Sequence, residues 1–273
     1  PVDKPFCLAV SFGPPHNPYE EVPDRYREMY DETSIRFRPN CSEIPREVLD
    51  PAWSHRPTTR DYYAQITSLD EMLGRMLDRI EDMGVARDTI VVFTSDHGDM
   101  MWSQGLLYKC VPYHECINVP LLIRYPGAVP GGLKTDAPVG SVDLLPTLAG
   151  LCGWDVPESL EGADCSRALR GEDGPLPEEA LVGIYHRYVF RQDAPVPEWR
   201  GLRTRRHTYS ETVDRQPWLV FDNVADPFQQ HNLADEHAAA GLREELHERL
   251  RRKLEQIGDP FRTKEEMARL FPP

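Results

Sequence analysis

The chain reads as an α/β protein, a mostly parallel sheet with helices, followed by a smaller region with an antiparallel sheet and a terminal helix. Three observations predict this. Thr89–Thr94 and Val119–Tyr125 are unbroken apolar and β-branched runs, the pattern of strands covered on both faces. Asp61–Met83 places Tyr63, Ile66, Leu69, Leu73, Met76, Leu77, Ile80 and Met83 at spacings of three and four, an amphipathic helix leading into the first run. Past residue 172 the texture changes to short β-like segments separated by turn residues.

Taken in order, Phe6–Phe12 reads as a further buried strand, with Cys7 as a core residue. A parallel-sheet strand normally has neighbours, so a chain opening on one reads as part of a larger sheet. Gly13, Pro14, Pro15 and Pro18 then form a stiff loop around His16. Val22–Tyr30 is rich in Tyr and charge, and Pro39–Pro57 reads as irregular. Thr58 or Thr59 can cap the long helix and Gly84 can end it. After the Gly/Pro-rich loop Gly127–Gly132, Ser141–Leu151 suits a short helix in which Pro146 is the awkward residue. The acidic, Pro-containing Glu172–Glu179 marks a boundary, dividing the chain into 1–172 and 173–273. Leu181–Tyr188, Trp199–Thr204, His207–Glu211 and Trp218–Asp222 read as antiparallel strands. Ala238–Ile257 reads as a final helix, with Leu242, Leu246, Leu250, Leu254 and Ile257 on one face.

Composition excludes several classes. Lys+Arg 31 against Asp+Glu 45 gives a net charge of −14, which disfavours a nucleic-acid partner. No apolar run approaches the roughly 18–20 residues needed to cross a bilayer. Phe6–Phe12 is too short and wrongly flanked for a signal peptide. The six Cys include no CxxC pair, so a disulfide or zinc framework is not expected.

The residues able to do chemistry cluster after the first apolar run. Ligands bind at the carboxyl ends of strands in open α/β sheets, and Asp96-His97 stands at such an end. The following Gly98 permits a turn that lets both side chains converge on one ion. A carboxylate beside an imidazole suits a divalent cation, with oxygen-rich company favouring Ca²⁺ or Mg²⁺ and nitrogen favouring Mn²⁺ or Zn²⁺. The dipeptide by itself equally reads as Asp96 capping a turn with His97 in solvent. Lys109 could bind a substrate anion as a point charge, or be an ordinary solvated lysine. His16, fixed among prolines, could serve as an acid, a base or an anion ligand. His114 and Glu115 could line the same cleft or simply flank the next strand, and Asp99 is a helper or a surface acid.

In sequence order the segments SFGPPHNPY (11–19), PDRYREMY (23–30), the helix at 62–84, TIVVFTSDHGDM (89–100), GLLYKCVPYHECINVPLLIRYPG (105–127), SVDLLPTLAGLCG (141–153), WRGLRTRRHTY (199–209) and WLVFDNVADPFQQHNLA (218–234) resemble the sulfatase family of the alkaline-phosphatase superfamily. The resemblance implies an alkaline-phosphatase-like sandwich and hydrolysis of a sulfate ester, on a carbohydrate or an aryl alcohol. It implies that Asp96 and His97 bind the metal, usually Ca²⁺. It also implies that His16 contacts the sulfate and assists leaving-group departure, and that Lys109 binds the sulfate and the leaving oxygen. Sulfate-ester cleavage needs a polarising cation, positive donors on nonbridging oxygens and an acid for the departing oxygen, which are those roles. Many members are exported, which implies a periplasmic or secreted parent.

The sequence departs from the family in its nucleophile. Sulfatases carry a Cys, converted to formylglycine, in a C-x-P/A-x-R setting upstream of the His16 position, and none of Cys7, Cys41 or Cys165 fits that pattern. Two further metal-binding aspartates belong to the same upstream region. Gln104 stands where many relatives have His, and His114 stands in place of a frequent Glu. The expected identity is therefore the C-terminal part of a sulfatase-like protein, with little activity on its own. Alternatives are a phosphonate monoester or phosphodiester hydrolase of the same superfamily, and a non-catalytic binding protein that kept the fold.

Overall fold

The computed structural model describes residues 4–41, 55–184, 196–263, 266 and 269–270. Its helices are α1 (Asp24–Arg27), α2 (His55–Asp82), α3 (His114–Ile117), α4 (Leu144–Leu151), α5 (Ser166–Leu169) and α6 (Ala240–Ile257). Its strands are β1 (Val91–Thr94), β2 (Leu121–Arg124), β3 (Glu179–Gly183), β4 (Trp199–Thr204), β5 (His207–Thr212) and β6 (Pro217–Asp222). They fall into two compact units. One comprises Pro1–Phe93, Met101–Leu107 and Leu121–Gly127, and the other Thr94–Met100, Tyr108–Pro120 and Ala128–Pro273.

In the first unit α2 runs 28 residues and begins six residues earlier than its apolar stripe predicts. Pro57 sits in its first turn, where a missing N–H costs nothing. Thr58 and Thr59 are therefore not caps but buried members of the helix. The Thr59 hydroxyl donates to the His55 carbonyl at 2.6 Å and accepts from the Trp102 indole N–H at 3.0 Å. Gly84 ends the helix as expected, at φ +71° with its N–H on the Glu81 carbonyl. Val22 and Tyr26 pack on Ala64 of α2, while Asp61 receives both Arg27 and Arg60. Of the expected irregular stretch, residues 42–54 lie outside the described residues and 55–57 are helical.

Burial corrects the expected strands of this unit. β1 and β2 pair in a two-stranded sheet and are only partly buried, with Leu122 61% exposed. Phe6–Phe12 forms no strand, and Leu8 is 74% exposed. Cys7 is likewise exposed rather than in a core. The physical reason is the same for all three. Among the described residues no further strand adds to this sheet, and an unpaired apolar run has neither a hydrogen-bond ladder nor a cover.

The second unit holds the antiparallel sheet, in the order β3-β4-β5-β6. Leu202 faces Tyr209, and Tyr209 faces Val220, which puts the three on one side of the sheet. Leu246, Leu250 and Leu254 of α6 complete that core with Ala234 and Phe261. Each of these buried leucines is worth about 2 kcal/mol. Gly258, at φ +67°, ends α6 in a left-handed cap. The first expected strand begins two residues earlier than predicted, at Glu179, and its residues 185–188 lie outside the described residues. The helix expected at Ser141–Leu151 is a 3₁₀ turn, Ser141–Asp143, followed by α4. Pro146 thus falls in the first turn of α4, where it is tolerated. Asp143 anchors that start by accepting from Gly140 N–H and Ala163 N–H, both at 2.7 Å.

Two ion pairs tie down the sheet. Arg200 bonds Asp259 at 2.7 Å with only 4% and 5% of the two side chains exposed, and it stacks on Phe261. Arg206 makes two hydrogen bonds to Asp222 at the end of β6. Arg203 donates to the Thr208 hydroxyl at 2.8 Å, so Arg203 and Arg206 both bond to residues of the sheet.

Removing one partner of a buried pair leaves an uncompensated charge, so Arg200→Ala should cost about 3–5 kcal/mol in urea unfolding. The Arg206 guanidinium holds the Asp222 carboxyl down to about 2, below its unfolded value. The stabilisation it gives is present above the unfolded value near pH 3.8 and lost as pH falls through about 2. Urea midpoints recorded through that window should fall less steeply in Arg206→Ala than in the parent.

Candidate functional site

The candidate residues of the second unit begin where β1 ends. Ser95 donates its hydroxyl to the His97 carbonyl at 2.8 Å, and Asp96 Oδ1 accepts from the His97 N–H at 3.0 Å. These short-range bonds turn the chain so that Asp96 and His97 lie side by side. His97 Nδ1 is 2.8 Å from the Gly98 carbonyl oxygen. That oxygen can only accept, so Nδ1 carries the proton and the lone pair sits on Nε2. Nε2 lies 3.6 Å from Asp96 Oδ2, and the Asp96 side chain is 84% exposed. A carboxylate oxygen and a ring nitrogen thus lie side by side, a donor pair whose chemistry fits a divalent cation. Among the described residues no three His, Cys, Asp or Glu side chains gather into a ligand set.

Gly98 decides what packs beside this pair. A Cβ at residue 98 would lie 1.9 Å from the Glu115 carbonyl oxygen, so only glycine lets the two backbones meet. Its N–H donates to the Cys116 carbonyl at 2.8 Å. Two residues on, Met100 N–H donates to the Tyr108 carbonyl at 2.8 Å, and Asp99 Oδ1 accepts from Tyr108 N–H at 3.1 Å. Met100, Val111 and Cys116 close a small core beneath, with Trp218 packed against it. The segment carrying Lys109 and His114 is therefore laid against the segment carrying Asp96 and His97.

Lys109 is half-buried between Tyr108 and Cys110, whose φ angles are +68° and +81°. His114 opens α3, and its Nε2 accepts from the Asn118 side-chain amide at 3.2 Å. Burial pushes the Cys116 thiol up to about 11, and burial also raises Cys110 against the lowering pull of Lys109. Neither thiol is poised as a nucleophile at neutral pH.

His16 belongs to the first unit. Its ring is exposed, with Nδ1 2.8 Å from the Asn17 carbonyl. The peptide bonds Pro14-Pro15 and Asn17-Pro18 on either side are cis. The buried Gln65 of α2 donates its amide to both the Pro18 and Tyr19 carbonyls at 3.0 Å and pins the end of that loop. Sequence reasoning missed Gln65, Trp199 and Gln229, because each acts through contacts distant in sequence and carries no local motif.

The sulfatase family model matches residues 1–154, and the model for the C-terminal part of N-sulphoglucosamine sulphohydrolase matches residues 103–256. The chain is 36% identical to an ulvan-active sulfatase of Formosa agariphila over 96% of its own length and 50% of that protein's. A Bacteroides thetaiotaomicron structure, described in the metabolism of multiple glycosaminoglycans, superposes with a TM-score of 0.81 at 28% identity, covering 100% of this chain and 58% of that one. The phosphonate monoester hydrolase of Agrobacterium radiobacter superposes at 0.75 with 23% identity over 88% and 55%, a likeness of fold alone. The chain spans about half the length of the relatives it matches.

A Gly98→Ala chain should be destabilised by about 2–3 kcal/mol in urea unfolding, because neither backbone carbonyl nor strand end can give way to the new methyl. The amide resonances of 96–99 and 113–117 should shift most.

Proposed function

The chain belongs to the sulfatase family, and from that premise we propose that it supplies part of the site of a metal-dependent sulfate-ester hydrolase. The observation that carries this reading is the paired presentation of Asp96 Oδ2 and His97 Nε2, 3.6 Å apart, with the Nδ1 proton tied to the Gly98 carbonyl. Asp96 and His97 would hold the cation, Ca²⁺ first and Mn²⁺, Mg²⁺ or Zn²⁺ after it. Such a cation, when bound, supplies the charge that draws electron density from a sulfate oxygen. Lys109 would neutralise a nonbridging oxygen and the leaving oxygen, His114 would contact the substrate, and His16 would hand a proton to the departing oxygen.

The substrate class we infer is a sulfate ester on a carbohydrate, supported by relatives named for ulvan and described in glycosaminoglycan metabolism. Residues 1–172 would be the later part of an alkaline-phosphatase-like core with a mostly parallel central sheet, and 173–273 its smaller subdomain. None of the six Cys stands in a C-x-P/A-x-R setting, so no step of the reaction is routed through a nucleophile of this chain. The chain alone would then hydrolyse an aryl sulfate at no more than background rate, and turnover at an ordinary enzymatic rate would overturn that part of the proposal.

The metal assignment has its own readout. Titrated with Mn²⁺, the chain should lose the His97 ring resonances first among its nine His, and Asp96→Ala should raise the concentration needed by about tenfold. Equal broadening of all His, or no change in Asp96→Ala, would rule out the pair as ligands.

A further inference from the structure

The segment that carries Lys109 and His114 is held in a conformation its own residues resist. Tyr108 and Cys110, on either side of Lys109, sit at φ +68° and +81°. L side chains rarely adopt this left-handed region, and each such residue costs on the order of 1 kcal/mol. Such a backbone persists only where its surroundings over-determine it. Three side chains from elsewhere in the second unit do so. Asp99 Oδ1 accepts from Tyr108 N–H at 3.1 Å on one side of Lys109. The Trp199 indole N–H donates to the Cys110 carbonyl at 2.9 Å on the other. Gln229 Oε1 accepts from His114 N–H at 2.7 Å.

Each of these anchors is itself fixed. Trp199 and Gln229 are each 2% exposed. Gln229 Nε2 donates to Thr208 Oγ1 at 3.1 Å and Asn223 Oδ1 at 2.8 Å, which settles which end of its amide faces His114. Trp199 opens β4, and its ring lies beside that of Trp218 at the start of β6. The antiparallel sheet therefore reaches the Lys109 segment through Trp199 of β4, Gln229 reaches it from the loop after β6, and Asp99 from the segment after β1.

We propose that Asp99, Trp199 and Gln229 are positioning residues that set Lys109 and His114 for binding an oxyanion. The inference rests on the reading of Lys109 as a sulfate-binding cation. It assigns the C-terminal sheet a part in substrate affinity with no contact to the substrate. A single hydrogen bond that satisfies a backbone N–H or carbonyl is worth enough to change a local equilibrium by up to about tenfold, whether or not the side chain is charged.

Two measurements on this chain separate the inference from the reading beneath it. Inorganic sulfate is titrated into the parent, Asp99→Ala, Asp99→Asn, Trp199→Phe, Gln229→Ala and Lys109→Ala, followed by amide shifts of residues 108–114. Amide hydrogen exchange at Tyr108 and His114 is recorded without sulfate. We expect Asp99→Ala and Trp199→Phe to weaken sulfate binding about tenfold, and Asp99→Asn, which keeps the acceptor oxygen, to bind like the parent. Tyr108 exchange should quicken about tenfold in Asp99→Ala and stay slow in Asp99→Asn, and His114 exchange should quicken in Gln229→Ala. Parent-like exchange at Tyr108 in Asp99→Ala overturns the positioning role. So does parent-like sulfate affinity in Asp99→Ala and Trp199→Phe while Lys109→Ala loses it. Undiminished affinity in Lys109→Ala overturns the sulfate reading instead, and exchange alone then decides the positioning role. Should Asp99→Ala fail to fold, Trp199→Phe and Gln229→Ala decide on the same two readouts.

Discussion

The approach of two backbones at Gly98 is the constraint on which the candidate site depends. With the Glu115 carbonyl 1.9 Å from where a Cβ would stand, no other residue allows the chain after β1 to lie against the start of α3. Everything placed at that junction follows from it. The Gly98 N–H reaches the Cys116 carbonyl, and the Gly98 carbonyl takes the His97 ring proton. One residue thus orients the imidazole and docks the segment that carries the lysine. A closed packing of backbone on backbone is rigid in a way that side-chain contacts are not, because it has no rotamers to explore.

Around that junction the structure spends local conformational comfort on geometry. Met101, Trp102, Gln104, Tyr108 and Cys110 all take positive φ within ten residues, an unusual density for residues with a Cβ. Their order is maintained by groups far off in sequence: Thr59 for Trp102, Trp199 for Cys110. The antiparallel sheet can act as such an anchor because its inner strand β4 is itself tied down. The buried pair Arg200–Asp259 and the α6 leucines fix β4, and β4 begins with the tryptophan that holds the loop. Stability in the C-terminal region and precision at Lys109 are in this sense the same property.

Much of the fold was legible because it depends on local periodicity. The helix α2, the leucines of α6 and the turn-separated strands β4, β5 and β6 appear close to where spacing puts them, although the residues α2 buries are Thr58, Thr59, Asp61, Ala64 and Gln65 rather than its apolar stripe. The misreadings share one cause. Phe6–Phe12, Cys7 and the two-sided burial of β1 and β2 were inferred from apolar content, and apolar content records what a segment needs, not what the chain provides. The caps at Thr58 and Thr59 failed for the complementary reason. A helix can begin among polar residues and a proline once tertiary contacts bury them, and here Thr59 serves Trp102 instead.

The same division runs through the site. Sequence by itself supplied the candidate groups, Asp96 and His97 at a strand end, Lys109 and His114 beyond it, and His16 among prolines. Their order and surrounding motifs also determined the family. These are properties of residue type and near spacing, which a chain carries unfolded. Only the tertiary structure decided the ring tautomer of His97, the left-handed backbone on both sides of Lys109, and the anchors Asp99, Trp199 and Gln229. The reason is physical: a hydrogen bond between residues 89 or 115 positions apart has no imprint on local propensity, and it exists only once loop closure has brought its two ends together.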